Sequence, residues 1–222
     1  MTPREQIQTH VLGRIVATTP EAFWRGYQDR ARGLYMDAFN AVKADPRLNQ
    51  SQRLSKLWQE RHFAMEWLLI DEAKQNAIPA SDKLIVENRC AYALAGHGSL
   101  VMTQKYVRQH GALPSPAKFR KQLAAVNAFY RAPGLFLGDE PEELYLPPDI
   151  NGIILHSPAG QRFVEEHQTL AAIGFYLPYA DFSGWAVELT FGEIIAGYVV
   201  EAPREFRAEP ILRKLKDAGD EE

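Results

Sequence analysis

Apolar residues that recur every three to four positions restrict most of the first 130 residues to helices. One such stripe runs from Phe23 to Val42, and a second runs from Leu54 to Leu69. Beside the second stripe, Phe63, Trp67 and Ile70 lie on another side of the same helix. This arrangement predicts a helix that is buried on two faces, at the centre of the N-terminal part.

Proline and capping residues mark where these helices begin and end. The segment Thr2-Pro3-Arg4-Glu5 has capping-box spacing with proline at the first helical position. Asp45-Pro46 ends the second helix, because a residue before proline disfavours the helical region. The same signals predict three further helices, over residues 81–94, 99–109 and 115–130.

The character of the sequence changes after Ala132-Pro133-Gly134, where segments shorten and β-branched and aromatic residues gather. Helices are predicted over 161–172 and 210–216, and strands over 144–146, 153–155, 173–177 and 185–189. For residues 194–200, Thr190 and Glu193 fit the capping box of a helix, but Gly192, Gly197 and Val199-Val200 favour a strand. The predicted fold class is therefore α+β. A helical N-terminal domain (1–131) precedes a smaller mixed α/β portion (132–222) that has a short sheet and an acidic tail.

The two predicted portions carry opposite charge. Residues 1–130 contain 18 Lys and Arg against 11 Asp and Glu, whereas residues 131–222 contain 7 against 17. The net charge of −3 thus combines a surplus of about seven positive charges with a surplus of about ten negative ones. Either the halves attract each other on folding, or one charged face stays open and steers a partner.

Composition excludes several protein classes. One cysteine rules out an internal disulfide framework and a cysteine-rich zinc site. No apolar run approaches the roughly 18 residues of a membrane span, and the first ten residues lack the apolar stretch of a signal peptide. We therefore expect a cytoplasmic protein, and no motif indicates a catalytic residue, a metal or a cofactor.

The clearest local charge signal is acidic. The window 132–161 contains no lysine or arginine. It holds five carboxylates and an apolar anchor that predict a partner-binding surface: Asp139, Glu140, Glu142, Glu143, Asp149 and Tyr145. Carboxylates can steer a basic protein while apolar side chains supply binding energy. The leading hypothesis is a non-enzymatic accessory or inhibitory protein of the immunity, anti-defence or conjugation-inhibiting kind. The alternative for the loop is a cover over the sheet.

A second hypothesis is nucleic-acid binding by the helical half. A cluster of basic residues spans two predicted helices: Lys105, Arg108, His110, Lys118, Arg120 and Lys121. The connection between those helices, residues 111–116, is too long and proline-rich for a helix–turn–helix. Phosphate contact does not require that motif. A solvated face, or a surface that docks the acidic half, would have the same composition.

A third hypothesis is an enzyme whose site is assembled from scattered residues. His62 and Glu66 share one helical face, and Cys90 and His97 could join them around a metal. No paired Glu-x-x-His pattern or His-Glu-x-x-His motif supports this. The residue types of a hydrolase triad occur later in the chain, without a nucleophile elbow: Ser157, His167 and Asp181.

Four aromatic residues gather in one loop-like stretch: Tyr176, Tyr179, Phe182 and Trp185. Such a group can line a groove or an interface, or it can form core at a domain junction. The sequence favours the core.

Overall fold

The structure is a computed structural model that describes residues 2–85, 90–131 and 149–200. The α-helices are α1 (Pro3–Thr18), α2 (Glu21–Ala44), α3 (Gln50–Gln75), α4 (Lys118–Ala124), α5 (Glu165–Gln168) and α6 (Phe191–Val200), and a 3₁₀ helix follows α4 (Ala125–Arg131). The strands are β1 (Ala80–Ile85), β2 (Cys90–His97), β3 (Leu100–Tyr106), β4 (Ile150–Pro158), β5 (Leu170–Pro178) and β6 (Trp185–Thr190). The α+β fold class is confirmed.

The capping signals at the start of the chain work as predicted. Thr2 accepts a hydrogen bond from the Glu5 backbone N–H, and the Glu5 carboxylate accepts one from the Thr2 backbone N–H at 2.7 Å. Asn49 and Gln52 form the same reciprocal box at the start of α3. Each box satisfies donors that a helix N-terminus leaves unpaired, which fixes where the helix begins.

The six strands form one sheet in chain order, β1 to β6. All neighbours are antiparallel except β3 and β4, which run parallel with Leu100 opposite Ile150. A parallel pair needs a long crossover, and here α4 and the 3₁₀ helix lie within it. The sheet draws strands from both sides of residue 131, while the division into domains 1–131 and 132–222 stays a prediction.

Alternating side chains of the strands separate two cores. Along β4, Ile150 and Ile154 pack with the main helices, whereas Ile153 and Leu155 belong to a smaller core on the opposite face. The larger core gathers apolar side chains of α1, α2, α3 and α6 against the sheet. The smaller core includes Ala124, at the end of α4. The sheet is therefore covered by long helices on one side and by α4 on the other.

The predicted helices over 81–94 and 99–109 are wrong, because β1, β2 and β3 occupy these segments. Ala93 and Ala95 of β2 are buried and point the same way, a period of two. Gly98 begins the turn between β2 and β3 with a positive φ of 56°. Glycine at the first central position suits a two-residue hairpin loop of type II′.

Other predicted elements are partly corrected. The strand predicted over 194–200 is wrong, since α6 occupies it, and a capping box between Thr190 and Glu193 starts that helix. The helix predicted over 161–172 shrinks to α5, and β5 follows it. The helix predicted over 115–130 begins at Lys118 and continues as a 3₁₀ helix.

The strands predicted within 153–155, 173–177 and 185–189 are confirmed in β4, β5 and β6. The predictions for 144–146 and 210–216 lie outside the described residues. Within the part of the chain that the structure describes, no helix is both long and apolar enough to cross a bilayer.

Candidate functional site

The strands β2 and β3 are joined at one end and separate at the other. Their paired residues run from Ala95 opposite Met102 to His97 opposite Leu100, next to the turn. By contrast, β1 pairs with β2 along its whole length, and β3 pairs with β4 up to Tyr106. The β1–β2 hairpin therefore leans away from β3, and we call the gap between them the fork.

A carboxylate of α3 fills the fork. Glu66 accepts the Ala93 backbone N–H at 2.8 Å through Oε2 and the Gln104 side-chain N–H at 2.9 Å through Oε1. The carboxylate thus accepts from the Ala93 backbone N–H of β2, which has no paired residue on β3. Burial raises the pKa of the Glu66 carboxyl, while the hydrogen bonds from Gln104 and Ala93 oppose that rise.

Gln104 connects this carboxylate to a histidine in the core. The Gln104 Oε1 lies 2.8 Å from His156 Nε2, and Tyr35 Oη lies 2.5 Å from His156 Nδ1. Burial lowers the pKa of His156 to about 3, so the ring is neutral at pH 7. Because Gln104 Oε1 can only accept, His156 Nε2 carries the proton and Tyr35 donates to Nδ1.

His62 lies at the outer end of the same network. Its Nδ1 is 3.2 Å from Gln104 Nε2, and its Nε2 is 3.9 Å from Glu66 Oε1. Burial lowers the pKa of His62 to about 4, and the charges of Lys105 and Arg120 add to the effect. At neutral pH, His62 therefore accepts from Gln104 as an uncharged ring.

Directly before His62 in α3, the guanidinium of Arg61 is completely buried. Arg61 donates to Gln168 Oε1 at 2.7 Å, to the Gln168 backbone carbonyl, and to the Tyr35 backbone carbonyl at 3.3 Å. Its guanidinium also lies 4.2 Å from the centre of the Tyr35 ring. These neutral groups tie α2, α3 and α5 together, while the buried Arg61 Nε has no hydrogen-bond partner among the described residues.

On the outer side of α3, a groove of about 490 Å³ separates the helix from the β1–β2 hairpin. We call it the α3–β1 groove. The residues that line it are Phe63, Glu66, Trp67, Ile70, Asp71, Lys74, Asp82 and Ala91. Phe63 is 65% exposed and Trp67 53% exposed, so the prediction that α3 is buried on two faces is wrong for this side. Leu84, which lies on β1 and pairs with Ala91 of β2, is 64% exposed.

The carboxylates of the groove differ in their partners. Arg30 binds Asp71 at 2.6 Å and Glu72 at 2.8 Å, and its guanidinium lies 5.1 Å from the Trp67 ring centre. Asp82 is exposed on β1 and has no ion pair among the described residues. The groove thus combines apolar walls with one carboxylate that is open to a cation.

The predicted acidic surface is mostly beyond what the structure covers. Asp139, Glu140, Glu142, Glu143 and Tyr145 lie outside the described residues. The remaining member, Asp149, is exposed and lines a shallow cavity of about 310 Å³ beside the 3₁₀ helix. The acidic surface stays a prediction.

Three of the predicted basic residues have identified neighbours: an aromatic ring for Arg108 and for Arg120, and Arg120 for Lys105. The Arg108 guanidinium lies 4.4 Å from the Trp58 ring centre, and that of Arg120 lies 4.7 Å from the Phe119 ring centre. Lys105 lies near Arg120, whose charge adds to the effect of burial in lowering the pKa of Lys105. Lys118 and Lys121 are exposed on α4.

Of the scattered residues of the enzyme hypothesis, His62 and Glu66 lie close together, whereas Cys90 and His97 do not. Cys90 and His97 stand at opposite ends of β2, about 23 Å apart at 3.3 Å per residue. In the described residues, no three His, Cys, Asp or Glu side chains are grouped to hold a metal. Ser157 is buried opposite Ala172, whereas Asp181 lies in the turn beyond the far end of β5.

The aromatic stretch after β5 forms core, as the sequence favours. Tyr176 and Trp185 have ring centroids 5.1 Å apart. Phe182 joins Tyr176 in the smaller core, and Tyr179 packs against the larger one. These four residues therefore hold the β5–β6 connection onto the sheet.

Comparisons with known proteins give no family assignment. No protein-family model, no curated protein and no solved structure matches this chain. The candidate function therefore depends on the residues themselves.

Proposed function

We propose that this protein acts by contact with another protein, and that the α3–β1 groove binds a partner segment in which lysine or arginine alternates with apolar side chains. The observation that carries the proposal is the exposure of Phe63 and Trp67 in one groove, with the exposed Leu84 on β1 paired with Ala91 of its lining. Exposed large apolar side chains gathered in one place indicate a surface that is covered by a partner.

The apolar walls give the groove its binding energy. Phe63 and Trp67 stand one helical turn apart, on the same side of α3. Arg30 packs against Trp67 and is itself tied to Asp71, so the indole is held in place before any partner arrives. Aromatic anchors that lose little side-chain freedom on binding are typical of interface hot spots.

The carboxylates give the groove its preference for a cation. Asp82 faces the groove from β1, and Glu66 closes its inner end. A lysine or arginine that lies between apolar neighbours would place its charge at Asp82 and its stem along Trp67. Complementary charge of this kind favours basic partners over acidic ones.

This proposal keeps the hypothesis of an accessory or inhibitory protein and gives it a second contact surface. The acidic segment around Asp139 and Glu143 would be a further contact for the same kind of partner, because carboxylates prefer basic partners. The specific class (immunity, anti-defence or conjugation inhibition) and a cytoplasmic location remain hypotheses.

A display library of random 12-residue peptides, selected on the full chain, tests the proposal. We expect enriched peptides to carry one or two Lys or Arg between apolar residues. Asp82→Lys should change the selected charge from basic to acidic. Lys83→Glu, which changes the next residue on the other face of β1, is the matched control and should leave the preference unchanged. Equal enrichment by both variants, or peptides without a charge preference, would exclude the groove as the site.

A further inference from the structure

We infer that the protein has a second contact site, separate from the α3–β1 groove, where an extended segment of a partner protein with an acidic side chain adds as a strand to the free edge of β5. The site is a groove of about 230 Å³, which we call the β5 edge groove. Residues 170–173 of β5 line it together with Gln28 and Arg32 of α2, His110 after β3, and the start of α6.

The edge is free because β6 ends early. Strand β5 pairs with β4 as far as Leu170, whereas its pairing with β6 stops at Gly174, opposite Thr190. The next residue, Phe191, begins α6, so the chain leaves the sheet at this point. Along residues 170–173, β5 therefore has one edge paired with β4 and one edge that no strand of the described chain pairs.

The ladder shows which backbone groups point into the groove. The His156 carbonyl accepts from the Val107 N–H, so it points toward β3. Because backbone groups alternate between the two sides of a strand, Ser157 points toward β5 and its partner Ala172 points back toward β4. The N–H and C=O of Ile173 therefore point away from β4, and such groups are the ones that an added strand uses.

The burial of β5 agrees with an open edge. Ala171 is exposed, and Leu170, Ala172 and Ile173 are half-buried. Residues 174–178, which lie beside β6, are all buried. The strand thus becomes accessible where its neighbour ends.

The side chains around the groove favour an acidic segment. Arg32 is exposed one turn after Gln28 and takes part in no ion pair among the described residues. Of the described residues, no Asp or Glu lines the groove. An added strand directs alternate side chains to opposite faces of the sheet, so a glutamate on the α2 face would reach Arg32. The two grooves therefore prefer segments of opposite charge.

Fluorescence anisotropy at 150 mM salt tests the charge preference on the full chain. The probes are two labelled peptides, Thr-Val-Glu-Val-Thr and Thr-Val-Lys-Val-Thr. We expect the glutamate peptide to bind about tenfold more tightly, and Arg32→Glu should reverse the preference. Arg25→Glu is the matched control, about 10 Å earlier on α2. It should leave the preference unchanged, because salt screens exposed charges at that distance.

Circular dichroism of both variants checks that they are folded. Equal effects of the two variants, or no binding of either peptide at about 1 mM, would overturn the inference. Asp82→Lys should leave the binding of both peptides unchanged, so a failure here is distinguishable from a failure of the α3–β1 groove.

Amide hydrogen exchange followed by NMR tests strand addition itself. In the free chain, the Ile173 N–H should exchange about tenfold faster than the N–H of Phe175, which points toward β6. The saturating glutamate peptide should slow exchange of the Ile173 N–H about tenfold and leave the Ala172 N–H unchanged. Binding without this protection of Ile173 would overturn the inference.

Protection of the Ile173 N–H before any peptide is added would also overturn it. Protection that is lost when residues 201–222 are removed would assign the edge to this chain's own C-terminal segment. Protection that increases with protein concentration would assign it to a second copy of the chain.

Discussion

The two sides of helix α3 differ in burial in an unexpected way: Arg61 on one side is completely buried, whereas Trp67 on the other is 53% exposed. Hydropathy alone would reverse that arrangement. Arg61 is accommodated because Gln168 and Tyr35 supply oxygens for its two Nη groups and a ring face for its guanidinium, which leaves only its Nε without a hydrogen-bond partner among the described residues. Trp67 has no comparable cover among the described residues beyond the stacked Arg30.

The difference shows that burial follows the available partners and not the residue type. A buried charge is tolerated when its hydrogen bonds are made, and it is costly when they are not. An exposed aromatic costs the folded chain little, so it persists where a binding partner makes use of it. The inner side of α3 therefore contributes to stability, and we propose that the outer side serves recognition.

The largest expected effect comes from the inner side. Arg61→Met should lower the free energy of unfolding by about 3 kcal/mol, because the buried oxygens of Gln168 and Tyr35 lose their donor. Urea denaturation followed by tryptophan fluorescence measures this. Arg25→Met, an exposed arginine on α2, should change stability by less than about 0.5 kcal/mol. Similar losses in both variants would contradict the assigned role of Arg61.

Acid should destabilise the protein through the buried histidines. The pKa of His156 is about 3 and that of His62 about 4 in the folded chain, against roughly 6.5 when unfolded. The unfolded chain therefore binds more protons as pH falls below 6.5, and stability is lost across the window from 6.5 to 3. His156 alone should contribute a loss on the order of 3 kcal/mol between pH 7 and pH 4.

Glu66 has the opposite effect on stability. Burial raises the pKa of its carboxyl in the folded chain, so protonation of Glu66 at low pH favours the folded state. Denaturation at pH 7, 6, 5 and 4 gives the net slope of stability against pH. The variant His156→Gln should show a shallower slope whatever its stability at pH 7. An unchanged slope would mean that His156 is not neutral and buried in solution.

A smaller effect is expected where the network reaches the fork. Gln104→Met should cost about 2 kcal/mol, because His156 and Glu66 both lose a hydrogen-bond partner. Lys105→Met is the matched control on the next residue of β3, which faces the other way, and should cost less than about 1 kcal/mol. If Lys105→Met is the more damaging change, the network does not stabilise the fold.

The smallest effect on stability should come from the outer side of α3. Phe63→Ser with Trp67→Ser should change the free energy of unfolding by less than about 1 kcal/mol, while binding of selected peptides falls at least tenfold. Leu68→Ala, on the inner side of the same helix, should cost about 2 to 5 kcal/mol. A large loss of stability in the serine variant would place these aromatics in the core and remove the contrast between the two sides.

The long helices could be predicted from the sequence because their signals are local. The reciprocal cap of Thr2 and Glu5, and the stripe from Phe23 to Val42, involve residues that are near each other in the chain. The strands β4, β5 and β6 were also predictable, since β-branched and aromatic residues concentrate there. The shared face of His62 and Glu66 follows from helical spacing, and the structure bears it out.

What the sequence could not give depends on contacts across the chain. The segment from Cys90 to Gly96 is rich in alanine and has no β-branched residue, so its strand forms through pairing with β1 and packing on α3. Gly197 suggested a strand, yet it is small because α6 packs against Leu12 and Val16 of α1. Gln104 and His156 lie 52 residues apart, and no local pattern joins them.

The fork also has a mechanical consequence. Within the described chain, β2 pairs with β3 only at residues 95–97. Strands β1 and β2 are therefore joined to the rest of the sheet by a short stretch of strand pairing. Such a unit opens locally at a lower free energy than the whole domain. Glu66 stabilises the closed arrangement, since its carboxylate connects β2 at Ala93 to β3 at Gln104. A ligand that binds in the groove beside Glu66 would therefore also change the equilibrium of this local opening.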